Sequence, residues 1–167
     1  IKASTGIDVI DLTEATASAD KIYKTSVASA NAPTITGFDS TDIIVLDEST
    51  TSNDFAATGI SGGVEEGIAS GDYVALTTAA GTMVAEHINI CHTNAYAGVA
   101  GMLTAITETG DGTNAIVGFE NTATGNYELY DTTDANTANQ YTLIASFTDI
   151  TAANVIGLLD VENFMAF

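Results

Sequence analysis

Twenty-two Asp and Glu against three lysines (Lys2, Lys21, Lys24) and no arginine leave this 167-residue chain with a formal charge of −19. Such a charge repels itself in any compact state, so folding in water requires salt or bound cations to offset the repulsion. The same surface excludes two classes of partner. Nucleic acids and anionic membranes are held by Lys and Arg, which are nearly missing here.

The acids are not set in a disordered tail. Apolar residues make up 46% of the chain, and Val, Ile, Leu and Phe recur throughout, so a core can form. The length suits one domain spanning 1–167. Cys91 stands alone, which removes any intrachain disulfide framework. No stretch reaches the roughly 18 continuous apolar residues of a membrane span. The chain opens on Ile1 without a leader-like segment, so it is expected to be processed or to be the C-terminal part of a longer secreted protein.

Short β-branched stretches alternate with Gly, Asn, Asp, Ser and Thr clusters, the pattern of strands and turns. Strands are predicted at Ile7–Leu12, Thr34–Ile35, Ile43–Leu46, Tyr73–Thr77, Met83–Ile90, Ala115–Glu120, Tyr127–Tyr130 and Tyr141–Phe147. The fold class is therefore mainly β, a β-sandwich or β-roll-like domain with one or two short helices. Val99, Met102, Leu103 and Ile106 lie at helical spacing after Asn94, a candidate N-cap, and Thr151–Leu159 could add a turn or two. Asn121–Gly125 reads as a hairpin loop within a C-terminal meander. Pro33 marks the start of a strand, and Gly59–Gly71 reads as a Gly-rich loop.

The acids cluster in turns. Asp8 and Asp11 lie in the stretch Thr5–Leu12 with its Gly-x-Asp-x-apolar core, Asp39, Asp42 and Asp47 flank another strand, and Asp131, Asp134 and Asn136 are expected in one loop between two strands. Ca²⁺ takes six to eight hard oxygens, which turns supply as carbonyls and Asp supplies as short carboxylates. These eight residues are the candidate calcium ligands; Asp111, in Gly-Asp-Gly, reads as a tight turn.

Gly6-Ile-Asp-Val-Ile is similar to the second half of the calcium-binding nonapeptide of parallel β-rolls. Together with Gly37–Asp47, the acidic loop Asp131–Gln140, the stretch Tyr141–Val155 and the apolar ending Phe164–Phe167, it resembles the C-terminal domain of repeats-in-toxin (RTX) proteins exported by type I secretion. No intact Gly-Gly-x-Gly-x-Asp repeat occurs. The resemblance implies a secreted, calcium-loaded capping or assembly domain, found in surface layers, filaments, adhesins and secreted hydrolases.

Signals for catalysis are weak. Within a strand, His87 and Cys91 share a face but lie about 13 Å apart, too far for one metal, while Cys91 and His92 face opposite ways. No phosphate loop, nucleophile elbow or zinc helix motif occurs. Six tyrosines could stack on sugars, but tyrosine in strands more often packs across strands, and Trp is absent. The expectation is a non-enzymatic extracellular protein that binds calcium and assembles with copies of itself into a surface layer or filament. The exposed apolar ends, Phe164 and Phe167 among them, are expected at subunit contacts. The alternatives are an export cap or ligand-binding module of a larger secreted adhesin or hydrolase, and an acidic halophilic protein whose charge serves hydration.

Overall fold

The computed structural model describes residues 1, 8–24, 32–46, 65–109 and 114–166. It is a mainly β structure with one short helix and single 3₁₀ turns. From Val9 to Leu46 the chain winds as a parallel coil. Strand β1 (Val9–Asp11) lies in one sheet and β2 (Lys21–Lys24) in a second; β3 (Thr34–Thr36) returns to pair in parallel with β1, and β4 (Ile43–Leu46) with β2.

The coil's third turn comes from the far end of the chain. Strand β12 (Tyr141–Phe147) pairs in parallel with β3, and β13 (Phe164–Ala166) with β4. Strand β5 (Glu66–Gly67) then closes that side of the second sheet, antiparallel to β13.

A second coil fills the space between. Strands β6 (Tyr73–Leu76), β8 (Ile88–Tyr96) and β10 (Ala115–Asn121) pair in parallel, and between them the chain crosses to a small parallel sheet of β7 (Thr82–Val84) and β9 (Thr107–Thr109). The helix α1 (Gly98–Leu103) precedes β9. Strand β11 (Asn126–Thr132) runs antiparallel to both β10 and β12 and joins the two coils into one seven-stranded sheet, ordered β1-β3-β12-β11-β10-β8-β6.

Each face of that sheet carries a core. Ile35, Ile116, Tyr127, Leu129 and Phe147 meet Ile22, Ile44, Leu46 and Phe164 of the four-stranded sheet, with Ile150, Val155 and Leu159 of the connection before β13 extending the cover. On the other face Val117, Phe119 and Cys91 meet Met83, Met102 and Ile106. Strand β10 is thus buried on both sides, which explains its unbroken apolar run Ala-Ile-Val-Gly-Phe.

The aromatic residues form part of these cores. Phe119 stacks on Tyr130 at 5.3 Å between ring centroids, with Tyr96 and Tyr141 edge-on to the pair. Tyr127 is fully buried and its hydroxyl lies 2.9 Å from the carbonyls of both Cys91 and Gly118. Four of the six tyrosines are therefore packing residues.

The C-terminal meander and its loop, with Gly125 at φ 76°, are as expected. Other details differ. The expected strand Met83–Ile90 is broken by a turn in which Glu86 takes φ 57°, so His87 lies before β8 and not on it. Asn94 lies inside β8, and the N-cap of α1 is Ala97. Thr151–Leu159 forms successive turns and no α-helix. Glu66–Gly67 of the expected Gly-rich loop forms β5, while Gly59–Val64 lies outside the described residues.

Phe164 was expected at the surface and is instead fully buried. A three-residue apolar ending reads as a free tail until a partner strand is known, and here β4 supplies that partner. Phe167 is outside the described residues.

Candidate functional site

The acids gather at the corners where the first coil passes between sheets. Asp20 and Asp42 each immediately precede a paired residue, Lys21 and Ile43, so they stack in successive turns of the coil. Asp42 is 2% exposed; its Oδ1 accepts the N–H of Asp20 at 3.0 Å and its Oδ2 that of Asp39 at 2.8 Å. One carboxylate thus fastens two turns together. Burial pushes the Asp42 carboxyl above the usual range, and the nearby Asp39 and Asp20 charges push it further, against the pull of the two N–H groups.

The neighbouring acids cap backbone in the same way. Asp39 accepts the backbone N–H and the hydroxyl of Thr41, both at 2.7 Å. Asp11 accepts the N–H of Thr13 at 2.9 Å, which holds its carboxyl below the ordinary value. These are Asx turns, the local use that short carboxylates find most readily. Asp8 is half-buried, with its carbonyl accepting the N–H of Thr34 at 2.8 Å. Asp47 and Asp111 lie outside the described residues.

The expected loop Asp131–Asp134–Asn136 is divided. Asp131 sits inside β11, buried and opposite Ile116 and Thr142. Asp134 occupies the following turn, accepting the N–H of Asn136 at 3.0 Å and the hydroxyl of Thr137 at 2.7 Å, while the Asn136 amide donates to Glu108 at 2.6 Å. Strand β11 continues two residues past its expected end at Tyr130, and that extension carries Asp131 out of the turn.

Other acids contribute that the sequence did not single out. Asp149 accepts the N–H of Gly37 at 2.5 Å, linking the second and third turns of the coil, and the Thr36 and Thr148 hydroxyls meet beside it at 2.8 Å. Asp160 and Asn163 cap the 3₁₀ turn before β13, and the Asn163 amide donates to the carbonyls of Asp42 and Ser40. Glu128 is buried but satisfied by Asn121 at 2.7 Å, Tyr130 at 2.5 Å and Thr124 at 2.9 Å. None of these roles could be found without the strand pairing. Among the described residues no three His, Cys, Asp or Glu side chains are grouped so as to hold a metal ion.

Cys91 and His92 face opposite cores, as adjacent strand residues must. Burial pushes the Cys91 thiol up to about 12, which leaves no nucleophilic thiolate near neutral pH. The Tyr73 hydroxyl donates to the Leu159 carbonyl at 2.7 Å, so at 3.1 Å it accepts from His92 Nε2, which fixes the imidazole tautomer. This pair holds the connection before β13 against the sheet. Burial lowers the affinity of His92 for a proton, with Asp160 opposing weakly.

A depressed histidine stabilises the fold fully above its ordinary value of 6.5 and loses that contribution as pH falls through the folded value. His92→Gln should therefore show a flatter decline in melting temperature below pH 6.5 than the unaltered chain. Identical slopes in calorimetry would remove His92 from the pH response.

Comparison of the chain with family models, curated proteins and solved structures gives no match.

Proposed function

We propose that this chain is a non-enzymatic extracellular structural protein that binds calcium at its acidic turns and assembles with copies of itself. The observation that carries the reading is Asp42: a buried carboxyl crowded by two further acids at a coil corner, in a chain of net charge −19. Burial is the main cause that raises this carboxyl, and a cation at the corner would offset both that cost and the smaller like-charge repulsion of Asp39 and Asp20. It thereby strengthens the contact between successive turns.

The donor chemistry fits a hard cation. Asp39 and Asp42 would supply the carboxylate oxygens, and backbone carbonyls and water would complete the six to eight oxygens that calcium takes. When bound, calcium supplies charge neutralisation alone. Asp42 continues to fasten the N–H groups of Asp20 and Asp39. Metal binding then becomes folding free energy, and the protein is expected to consolidate where calcium is plentiful. A parallel coil with acidic corners also accords with the RTX resemblance and with release through type I secretion.

Thermal unfolding and electron microscopy test this together. With calcium about a hundredfold above its dissociation constant, melting should rise by about 5–10 °C over a chelated sample of equal ionic strength. Ordered filaments or sheets should accompany the calcium sample only. Equal melting and identical images in both would overturn the reading and favour an export cap or binding module. Potassium chloride reproducing the calcium effect would favour a purely hydration-driven role for the acids.

A further inference from the structure

We infer that copies of this chain join head to tail through their seven-stranded sheets, the β1 edge of one receiving the β6 edge of the next. This rests on the self-assembly proposed above and specifies its contact. The two edges of the sheet are β1 and β6, and no described strand pairs with the outer side of either. Following the ladder from β1 through β3, β12, β11, β10 and β8 to β6 passes two antiparallel steps, so β1 and β6 point the same way. A copy displaced sideways without rotation thus presents β6 to β1 as a parallel strand, the pairing this sheet already favours.

The β1 edge has the groups such pairing needs. Asp8 and Leu12 bond inward to Thr34 and Thr36 of β3, so the parallel alternation turns the N–H and C=O of Val9 and Asp11 outward. Val9 is 76% exposed. At the other edge, β6 reads Tyr-Val-Ala-Leu, without the charge or proline by which free edges are usually blunted. The same end of the first coil already accepts an added parallel residue: Ile1 donates its amine to the Lys21 carbonyl and accepts the Tyr23 N–H beside β2.

Charge selects the partner and its orientation. All three lysines fall within residues 1–24, the part of the chain that forms β1 and β2, together with four acids. Residues 25–167 hold eighteen acids and no Lys or Arg. Two copies therefore repel over most of their surfaces and least where the near-neutral β1–β2 end meets the acidic remainder of the other. A contact between unlike surfaces related by displacement without rotation does not close on itself, and repetition gives an open polymer.

The test uses two single variants in millimolar calcium. Val9→Pro removes an outward N–H while leaving the ladder to β3, and Ala75→Lys places a charge on the exposed middle of β6. Each alone should raise the critical concentration for assembly about tenfold or more, the scale of one lost hydrogen bond or more. An equimolar mixture should give dimers and nothing longer, because one copy retains a working β6 edge and the other a working β1 edge. Val9→Lys repeats the experiment without a backbone change if the proline variant fails to fold. Polymers formed equally well by both variants would overturn the edge contact while leaving assembly itself standing. Closed symmetric dimers of the unaltered chain would also overturn it. An unaltered chain that stays monomeric at every calcium concentration would overturn both the contact and the self-assembly.

Discussion

Phe164→Ala is expected to lower the unfolding free energy by about 3–5 kcal/mol, the range for deleting a fully buried aromatic side chain. Phe164 is completely enclosed in the core between the two larger sheets, paired with Ile44 and among Ile22, Leu46 and Val155. Its strand is the last layer of the first coil in the four-stranded sheet, so a cavity there also loosens the strand that pairs with β5 among the described residues. Urea titration by circular dichroism measures the loss. A change below about 1 kcal/mol, the scale of an ordinary surface replacement, would mean that β13 is not docked in solution. The buried position also means that substitution here tests the fold before it tests any contact between copies.

Gly37→Ala should cost about 3 kcal/mol or more, for two reasons that add. Gly37 has φ 78°, the left-handed region that other residues enter at a cost, and an added Cβ would stand 2.4 Å from the backbone nitrogen of Thr13. Thr13 belongs to the neighbouring turn of the coil, so the clash is between successive layers and no rotamer relieves it. Gly37 also donates its N–H to Asp149 of the third turn. A variant that melted within 2 °C of the unaltered chain, a shift of roughly 1 kcal/mol or less, would contradict the close stacking of these turns.

Local punctuation made much of this fold legible. Seven of the eight expected strands coincide with observed ones to within two residues at either end, because β-branched runs bounded by Gly, Asn and Asp leave little local choice. What could not be read was which strands meet. Lys21–Lys24 is short, half polar and unremarkable until β4 lies beside it, and the same holds for Phe164–Ala166. The break at Glu86 defeated the alternation across Met83–Ile90, since a positive φ at a glutamate is set by tertiary context and not by propensity.

The candidate ligands show a different limit. A short carboxylate placed in a turn suits calcium and suits the N–H two residues on, and the same Asp-rich spelling encodes both. Asp11, Asp39 and Asp134 are seen in the second use. Asp42 became prominent only through Asp20, which stacks with it from 22 residues away.

The divided coil has a consequence for the route by which the chain reaches this state. Strands β3 and β4 lack their third layer until β12 and β13 arrive from the opposite end of the sequence, with the whole second coil intervening. Contacts of such long sequence separation close late, and chains dominated by them fold slowly. Strands β3 and β4 therefore keep one open edge each until β12 and β13 have docked, so completion of the first coil waits on folding of the segments between them.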